Sequence, residues 1–432
     1  MIERETWEEV IADYLELRVD YVPRQVEVKL PLSRALTIVG PRRAGKTYFL
    51  FQLWDELDDE RRKSLYVNFE DPRLIGATSN DLMEMLRVYY SLVELPRNEK
   101  LTFLLDEVQA VEGWERFVRY LLDRGHRVIL TGSSSRLLSK EIATVLRGRS
   151  VTLNLYPFSL HEVLKLKIGN ELPSLEVRGK VLGVLRECLE WGLYPEVVLQ
   201  PELRRELLRE ILDVTIYRDI VERWRVDNIK ALRFLFRLLA RSSHTSVTKL
   251  HSTMKSLGIA VGKPTLANYI EYLNDALVLF PLRAHVKSEK KRELLGFKPY
   301  FVDNGLLGVL GVTDRGRLFE NLVFTELLKA GLEPNEELFF YVTESKREVD
   351  FIIPGEELIQ VTWKLSPGNE GRELSPLIEA SAETGIERLT VVTWEGRKTL
   401  EIGGKIVQVV PLDKWVKEKR VTSPLSSRSQ TL

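Results

Sequence analysis

The chain has 432 residues, of which 44% are hydrophobic, and its 63 acidic side chains balance 63 basic ones, so the formal charge at pH 7 is zero. This balance excludes a global basic field, and any contact with nucleic acid must therefore come from local patches. The single cysteine, Cys188, excludes an internal disulfide and a cysteine-cluster metal site.

The length indicates two to four domains, and the hydrophobic content is ample for several packed cores. The sequence contains no apolar run of about 18 residues, and its start, MIERETWEEV, is too charged for a secretory signal. We therefore expect a cytoplasmic protein with no membrane partner. The first elements, in residues 1–35, have the pattern of a short helix and a lead-in strand, which we interpret as an N-terminal arm.

An apolar strand then runs directly into a phosphate-binding loop. The segment ALTIVGPRRAGKT places two glycines, a lysine and a threonine at the GxxxxGK[ST] spacing. Glycines let successive backbone N–H groups converge on phosphates, Lys46 can reach the β and γ oxygens, and the Thr47 hydroxyl can hold Mg²⁺ at a helix N-terminus. The segment predicts binding of ATP or ADP with Mg²⁺. The expected nucleotide-binding residues are Gly40, Pro41, Arg42, Arg43, Ala44, Gly45, Lys46, Thr47 and Tyr48.

A later apolar run, LTFLLDEVQ, ends in two acidic residues and has the pattern of a strand buried on both faces. Asp106 would bind Mg²⁺ through water or Thr47, and Glu107 would orient and deprotonate the attacking water. The strand SLYVNFED lies between the loop and this run and ends near Asn68. The Asn68 amide could hydrogen-bond Glu107 and hold it inactive, and an ordinary polar strand end is the alternative.

The next strand, RVILTGSSS, ends in small hydroxyl side chains. We predict Ser133 as a polar sensor beside the γ-phosphate, with Thr131 and Ser134 as alternatives. A helical stretch then ends at Arg147 and Arg149. Because a guanidinium from a neighbouring subunit can stabilise the charge that develops during phosphoryl transfer, we expect one of these arginines, with Arg149 slightly favoured, to be an arginine finger in a homo-oligomer.

Alternating strands and helices over residues 36–157 predict the parallel sheet of an ATPase core. The catalytic residues expected within it are Lys46, Glu107, Ser133, Arg147 and Arg149. From 158 to 241 the pattern is helical throughout, and we interpret this region as a lid or connector that could close over nucleotide.

Residues 242–314 contain a helix, a turn, a second helix starting near Pro264, and an apolar strand, which is the order of a winged helix. The exposed face of the second helix is expected to carry residues suited to phosphate and base contacts: Lys263, Thr265, Asn268, Tyr269 and Tyr272. Glu271 and Asp275 would repel phosphate, so packing against protein is the alternative. The run KSEKKREL (287–294) is the stronger electrostatic candidate for DNA.

The region 315–415 holds a second possible chemistry. FENLVFTELLKAG is an amphipathic helix that carries Glu320 near its start, and REVDFIIPGEELIQVTWKL is two strands joined by a Pro-Gly turn. By alternation Asp350 ends one strand. One face of the next strand is then formed by Gln360, Thr362 and Lys364. An acid on a helix, an acid on a strand and a carboxylate-x-lysine pair would form a divalent-metal nuclease centre.

The motifs GPRRAGKT, FLLDEVQ, LTGSSS, LRGRS, YPFSLHEV, TIYRDIV, KPYFVDNGL, GRLFENLV and EVDFII occur in this order. Together they resemble the archaeal and bacterial ATPases that pair an AAA+ type domain with the DUF4143 module, in which the double arginine Arg42 and Arg43 of the loop is typical. The resemblance covers nearly the whole chain. It implies an ATPase core, a winged helix and a C-terminal restriction-endonuclease-like PD-(D/E)xK fold that acts on DNA.

The nuclease pattern of that fold is incomplete in this chain. Where active members carry Glu-x-Lys, this sequence has Gln360, Val361 and Thr362. Gln360 can still coordinate a metal but removes one negative charge, and Lys364 replaces the missing lysine only if its reach allows. We therefore expect nuclease activity to be absent and the site to be vestigial. Its metal-ligating candidates are Glu320, Asp350 and Gln360.

The sequence thus predicts an α/β protein: an AAA+-like P-loop NTPase sheet with a helical lid, a winged helix and a restriction-endonuclease-like domain, followed by a disordered tail at 416–432. Its predicted function is Mg²⁺-dependent ATP hydrolysis coupled to DNA binding or remodelling in a homo-oligomer. No guanine-selecting NKxD-like segment is visible, which favours ATP over GTP. The alternatives are a nucleotide-dependent signalling switch with a protein-binding C-terminal half, and an ATP-regulated nuclease.

Overall fold

The computed structural model describes residues 2–26, 28, 33–58, 61–96, 99–133, 146–169 and 175–419, without the side chains of Ser133 and Lys419. The alternative sensor Ser134 and residues 420–432 of the predicted tail therefore lie outside the described residues. The chain divides into two compact units, residues 1–157 and 158–432. The division falls at the end of the segment predicted as the ATPase core.

The described part of the first unit contains a five-stranded parallel sheet. Its strands are β1 (Ala35–Gly40), β2 (Ser64–Asn68), β3 (Thr102–Asp106), β4 (Arg127–Ser133) and β5 (Ser150–Asn154). They are arranged in the order β2-β3-β4-β1-β5, with parallel neighbours throughout. Strands β1 and β3 are buried along their whole length, as their unbroken apolar runs require. This is the P-loop NTPase-like sheet that the sequence predicts.

Helices flank this sheet and complete its core. They are α1 (Arg4–Glu16), α2 (Lys46–Leu57), α3 (Ser79–Leu92) and α4 (Trp114–Asp123). The N-terminal arm is part of the core, because α1 buries Trp7, Val10 and Ile11 in one cluster with Val39 of β1. A capping box at Thr78, with Asp81 reaching back to its backbone, starts α3.

The lead-in strand expected after α1 is not formed in residues 17–26. The backbone N–H of Arg24 donates instead to the side-chain oxygen of Gln52 on α2, at 2.6 Å, and the Gln52 amide donates back to the Arg24 carbonyl at 3.0 Å. This side chain therefore satisfies the backbone groups that a strand would pair with another strand.

The first part of the second unit is helical, and its role as a lid stays a prediction. The helices are Leu160–Ile168, Leu175–Trp191, Pro195–Leu199, Arg204–Val214 and Ile229–Arg241, with a π-helical segment at Thr215–Glu222. These helices belong to the same compact unit as the C-terminal region. In the described ranges, no helix is long and apolar enough to cross a membrane.

The predicted winged-helix segment consists of two helices and an antiparallel strand pair. Helices Val247–Ser256 and Lys263–Asp275 are followed by β6 (Leu279–Arg283) and β7 (Phe297–Phe301). The basic run at 287–294 forms most of the short helix Glu289–Leu295, which connects these two strands. The described residues after them begin a further mixed α/β region.

That region contains a six-stranded mixed sheet in its described residues. Its strands are β8 (Phe339–Val342), β9 (Glu348–Ile353), β10 (Glu357–Thr362), β11 (Leu389–Thr393), β12 (Lys398–Ile402) and β13 (Lys405–Pro411), in the order β12-β13-β11-β10-β9-β8. Helices Asn304–Val309, Arg315–Lys329, Glu370–Thr384 and Leu412–Lys419 accompany it. The prediction that a disordered tail begins at 416 is wrong, because the last helix continues to Lys419. The prediction that Asp350 ends a strand is wrong, because β9 continues through an apolar run to Ile353, which pairs with Glu357.

Candidate functional site

The carboxyl ends of the parallel strands meet at one edge of the first sheet. In the strand pairing, Gly40 of β1 lies beside Ser133 of β4, and Asn68 of β2 lies beside Asp106 of β3. The phosphate-binding loop leaves this edge directly after Gly40. The strand register therefore brings together the loop, Asp106 and Ser133, at the edge where open α/β sheets bind their ligands.

Backbone geometry explains both loop glycines. A Cβ at Gly40 would lie 2.1 Å from the carbonyl oxygen of Leu155, because the chain after β5 packs directly against β1. Gly45 has φ 90° and caps α2 in the left-handed conformation that glycine adopts without strain. Arg43 also has a positive φ of 63°, which is uncommon for a residue with a side chain. The sequence therefore needs Gly40 for packing and Gly45 for the turn into the helix.

Lys46 is the first residue of α2, and its side chain is buried against the loop. Its Nζ donates to the carbonyl oxygens of Gly40 at 3.0 Å and Pro41 at 3.2 Å. Both acceptors are neutral backbone groups at the point where the loop begins. Tyr48, which follows Thr47 directly in α2, is 54% exposed and leaves its ring open to solvent.

A buried arginine from the N-terminal arm supports the loop, and the sequence did not reveal it. Arg24 is 8% exposed, and its guanidinium donates to the carbonyl oxygen of Ala44 in the loop at 3.0 Å. The same guanidinium donates to the carbonyl oxygen of Tyr156 at 2.9 Å. Arg24 therefore links the loop to the chain that follows β5.

Asp106 lies at the centre of a hydrogen-bonded network and is 1% exposed. Its Oδ2 accepts from the Thr47 hydroxyl at 2.8 Å and from the Tyr66 hydroxyl at 3.0 Å, and its Oδ1 accepts from Thr131. Burial raises the pKa of Asp106, although the hydroxyls of Thr131, Thr47 and Tyr66 favour its ionised form. Thr131, an alternative for the sensor, also accepts from the backbone N–H of Glu107 at 3.2 Å and so connects the two acids.

Glu107 follows β3 in a left-handed conformation with φ 51°, and a short 3₁₀ turn begins immediately after it. This turn brings the Gln109 amide back to donate to the Glu107 carboxylate. The Asn68 side chain instead accepts from the backbone N–H of Glu70 at 2.9 Å. The amide that donates to Glu107 in the structure therefore belongs to Gln109, because the turn places it two residues away.

The groups at this edge fit a nucleoside triphosphate with a divalent cation. Mg²⁺ takes hard oxygen ligands, and the Thr47 hydroxyl and Asp106 carboxylate supply two of them 2.8 Å apart. The N-terminus of α2 supplies backbone N–H groups for phosphate, and Lys46 supplies a positive charge. Glu107 supplies a carboxylate next to them that can orient a water molecule.

Arg147 and Arg149 lie at the opposite edge of the same sheet. The carbonyl oxygen of Arg149 accepts from the N–H of Ala35, which begins β1, whereas the loop leaves the other end of that strand. Six extended residues span roughly 20 Å. Arg149 pairs with Asp123 while both side chains stay exposed, by 47% and 62%. The cleft around them measures about 480 Å³ and is lined by Arg116, Arg119, Tyr120, Asp123, Arg147 and Arg149.

The predicted DNA-binding residues differ in their exposure to solvent. Lys263 and Asn268 are exposed and Thr265 is half-buried, as expected for an outward face. Tyr269 is only 5% exposed, and Tyr272 stacks on Trp224 with ring centroids 4.4 Å apart. The prediction that both tyrosines face outward is wrong, because they pack within the second unit.

The predicted vestigial metal site does bring two acids together. Glu320 and Asp350 lie on either side of the ammonium group of Lys298, which the sequence analysis did not select. Gln360 accepts from the backbone N–H of Asp350 at 3.3 Å and donates to Glu373 at 3.1 Å. Thr362 is buried at the end of β10, and Lys364 is exposed beyond it.

Three side chains missed by sequence reasoning differ in the signal they leave. Gln109 lies two residues from Glu107, so a turn after β3 was the available signal. Lys298 is a lysine inside the apolar strand Phe297–Phe301, which is unusual unless a charge pairs with it. Arg24 leaves no local signal, because its partners are far away in the sequence.

Comparison with known proteins identifies three family models along the chain. An AAA domain matches residues 32–164, a domain of unknown function (DUF8612) matches 183–316, and a domain of unknown function (DUF4143) matches 315–415. The last two carry no assigned activity in their descriptions. The AAA domain contains the phosphate-binding loop, Asp106, Glu107, Arg147 and Arg149.

Similar whole proteins also exist. The uncharacterized protein MJ1544 of Methanocaldococcus jannaschii is 36% identical over 95% of this chain and 94% of its own length. An uncharacterized protein of Haemophilus influenzae is 30% identical over 73% of this chain and 78% of its own. Among solved structures, the Walker-type ATPase PABY2304 of Pyrococcus abyssi has a TM-score of 0.40 and 16% identity, covering 72% of this chain and 96% of that one.

Proposed function

The chain belongs to the family of proteins that join an AAA domain to a DUF4143 domain, and we propose that it hydrolyses ATP with Mg²⁺ and couples the cycle to DNA. The observation that carries the proposal is the arrangement at the carboxyl edge of the first sheet. Lys46 and Thr47 at the start of α2, and Asp106 and Glu107 at the end of β3, converge there. Each side chain has the chemistry that its part of phosphoryl transfer requires.

The residues divide the work as follows. Backbone N–H groups at the start of α2 and the Lys46 ammonium bind the phosphates. Thr47 and Asp106 would hold Mg²⁺, which neutralises charge on the β and γ phosphates when it is bound. Once its hydrogen bond to the Gln109 amide breaks, the Glu107 carboxylate would accept a proton from the attacking water. The ring of Tyr48, which is exposed beside the loop, is available to contact the base.

Glu107→Gln tests the assignment of the base. The variant should retain ATP affinity and lose turnover by on the order of a hundredfold or more, since general-base catalysis typically contributes that much. Glu8→Gln, in an exposed ion pair with Arg4 on α1, is the control for a neutral change in charge. Single-turnover hydrolysis and ATP affinity are the two measurements. Normal turnover in Glu107→Gln would show that another group is the base.

We propose that the protein acts as a homo-oligomer, because Arg147 and Arg149 lie at the edge opposite the loop. In a head-to-tail assembly, this edge of one copy faces the nucleotide edge of the next. The Arg149–Asp123 pair is exposed, and such pairs contribute only about 0–1 kcal/mol, so releasing Arg149 toward a neighbouring phosphate costs little. This location supports a finger supplied between subunits.

We propose DNA as the partner of the second unit. Lys263 and Asn268 are exposed on the helix Lys263–Asp275, and Lys287, Lys290 and Lys291 are exposed around the short helix between β6 and β7. Lys290→Gln with Lys291→Gln should weaken duplex binding and reduce its salt dependence, whereas Lys414→Gln with Lys417→Gln removes the same charge elsewhere. Equal loss in both double variants would indicate a nonspecific charge effect and count against this surface.

The contact between Gln109 and Glu107 favours one alternative, a nucleotide-dependent switch that turns over rarely. A base held by a neighbouring amide is withdrawn from catalysis until the turn after β3 rearranges. The two functions differ in their response to DNA. Turnover that DNA stimulates supports the coupled ATPase, and turnover that stays slow with and without DNA supports the switch, whose C-terminal half would bind protein.

A further inference from the structure

A buried lysine lies at the centre of a ring of carboxylates in the second unit. The Nζ of Lys298 is 2.9 Å from Glu320, 2.8 Å from Glu348 and 2.8 Å from Asp350, and the lysine side chain is 2% exposed. An ammonium group has three N–H donors, and here each can point at a different carboxylate. Three oxygen atoms from three acids around one cation is also how proteins hold a hard metal ion.

The cation and its ligands come from different segments of the chain. Lys298 lies on β7, Glu320 on the helix Arg315–Lys329, and Glu348 and Asp350 on β9. The second oxygen of Asp350 accepts from the backbone N–H of Val361 on β10 at 2.9 Å. One amino group thus joins the strand that ends the predicted winged-helix segment to the sheet that follows it.

The charges around the ring explain why a cation is needed there. Glu320 and Asp350 both face the ammonium from buried positions, and their like charges would repel each other without it. The pKa of Lys298 is raised far above its usual value despite its burial, because Asp350, Glu320 and Glu348 surround it. Arg317 contributes a further positive charge near Glu320. Removing the ammonium would leave buried negative charge without compensation.

We propose that Lys298 is a built-in cation that occupies the position of a divalent metal ion, so that the carboxylate ring is closed to metal in the native protein and becomes a divalent-cation site when the lysine side chain is shortened or made neutral. The carboxyl oxygens would need to move inward by only about 0.5 Å to reach the distances of a Ca²⁺ or Mn²⁺ site. Glu348 is 35% exposed and provides the route by which an ion can enter.

Competition favours the lysine in the native chain. The ammonium is attached to the fold, so its effective concentration at the ring greatly exceeds that of any free ion. A divalent ion must also lose hydration to enter a buried site, and Mg²⁺ does so reluctantly.

The test compares Mn²⁺ binding to the full chain, without nucleotide, in the native protein and in Lys298→Met. Electron paramagnetic resonance counts bound Mn²⁺, and thermal unfolding with and without Mn²⁺ measures its effect on the fold. We expect no Asp350-dependent Mn²⁺ binding by the native protein. Lys298→Met should melt roughly 5–15 °C lower and regain most of that loss with Mn²⁺, binding one ion per chain.

Lys329→Met is the matched control. Lys329 is another buried lysine of the second unit, 8% exposed in its side chain and 3.0 Å from Glu326. It forms an ion pair with one acid rather than three, so its loss should destabilise the protein without creating a response to Mn²⁺. The double variant Lys298→Met with Asp350→Asn removes one charge of each sign and should fold without binding Mn²⁺ strongly.

Two results would overturn the proposal. One is Mn²⁺ binding by the native protein that Asp350→Asn abolishes, because the ring would then accept metal beside the lysine; nicking of plasmid DNA with Mn²⁺, lost in Asp350→Ala, would be the same result seen through activity. The other is a folded Lys298→Met that does not respond to Mn²⁺. The first measurement needs only the native chain and Asp350→Asn, so it can overturn the proposal even if Lys298→Met fails to fold.

Discussion

Lys46 and Lys298 are both buried lysines whose ammonium groups lie among oxygen atoms, but the oxygens differ in charge. Lys46 donates to two backbone carbonyl oxygens at the start of the phosphate-binding loop. Lys298 faces three carboxylates in the second unit. A hydrogen bond to a neutral acceptor contributes about 1 kcal/mol, whereas breaking a buried ion pair costs about 3–5 kcal/mol.

This difference distinguishes charged side chains that can bind a ligand from charged side chains that stabilise the fold. An ammonium on neutral carbonyls can exchange them for phosphate oxygens and gain energy, so Lys46 is ready for a ligand. An ammonium among carboxylates loses energy with any other partner, so Lys298 stays in place. We expect weakly held charges in this protein to affect activity when removed, and strongly held charges to affect stability.

The largest effect is expected at Arg149, a weakly held charge. Arg149→Ala should lower turnover by on the order of a thousandfold and leave ATP affinity nearly unchanged, because a finger from a neighbouring subunit acts mainly on the transition state. Asp123→Ala frees the same guanidinium without removing it and is the matched control. Steady-state hydrolysis at several protein concentrations, with ATP affinity measured separately, checks the prediction.

Mixing two inactive variants tests whether Arg149 acts between subunits. Arg149→Ala retains Glu107, and Glu107→Gln retains Arg149, so mixed assemblies contain some sites with both groups. Activity should therefore return on mixing and should rise with protein concentration. Hydrolysis by a monomer in light scattering that does not depend on concentration would rule out an arrangement between subunits.

Lys46→Ala should reduce triphosphate affinity by about a hundredfold or more, because charge-assisted hydrogen bonds to phosphate are lost. The free energy of unfolding without nucleotide should fall by about 1–2 kcal/mol, since the bonds to the Gly40 and Pro41 carbonyl oxygens disappear. Lys63→Ala, at an exposed lysine paired with Glu99, is the control for loss of a surface charge. Isothermal titration and denaturant unfolding measure the two quantities. A large loss of stability in Lys46→Ala would contradict the contrast with Lys298.

Local patterns in the sequence predict the first sheet and the loop at its edge. The apolar runs that form β1 and β3 and the spacing of Gly40, Lys46 and Thr47 can be read directly, and the parallel direction of the strands follows from alternating strands and helices. The helical periodicity also indicates that Tyr269 is buried, because this tyrosine lies on one apolar stripe with Leu266, Ile270 and Leu273. Tyr269 was predicted to be exposed because a tyrosine suits contacts with phosphate and bases, although the apolar stripe indicated that it is buried.

Contacts between distant segments could not be predicted in this way. Lys298 and Asp350 are 52 residues apart and meet only when β7 packs beside β9. Arg24 reaches the carbonyl oxygen of Tyr156 across 132 residues. Such contacts depend on how the elements pack, and no motif in the chain marks them. The assignment of Asn68 as the amide that contacts Glu107 failed for a more local reason, since the 3₁₀ turn after Glu107 brings back an amide only two residues away.

Asp303 is a strongly held acid and should affect stability through pH. It is fully buried, its carboxylate accepts from Leu193 N–H at 2.6 Å and Gly305 N–H at 2.8 Å, and burial raises its pKa to about 6. Between about pH 4 and 6 the unfolded chain loses this proton while the folded chain keeps it, so the contribution of Asp303 to stability falls as pH rises. The expected loss is about 2–3 kcal/mol, complete above pH 6.

Asp303→Asn isolates that contribution, because an amide does not titrate. The variant should be less stable than the native protein at pH 4, since its NH₂ group cannot accept from both N–H groups. The deficit should shrink or reverse by pH 7. Denaturant unfolding at both pH values measures the change, and other acids cancel in the difference between the two proteins. A deficit that stays constant with pH would mean that Asp303 titrates normally in the folded chain.

The smallest effect is expected at Gln109, which holds the base by one hydrogen bond. Gln109→Ala should raise basal turnover by a factor of about three to ten, since releasing a restraint of about 1 kcal/mol lets Glu107 reach water more often. Asn68→Ala is the matched control, because the sequence offered this amide as one alternative and its oxygen accepts instead from the Glu70 N–H. If Asn68→Ala alone raised basal turnover, Asn68 rather than Gln109 would be the residue that restrains Glu107. The other expected result is that Gln109→Ala alone raises turnover and that DNA then adds a smaller further increase than in the native protein. This result would show that DNA acts by moving the turn after β3, because Glu107 in the variant is already released from the Gln109 amide.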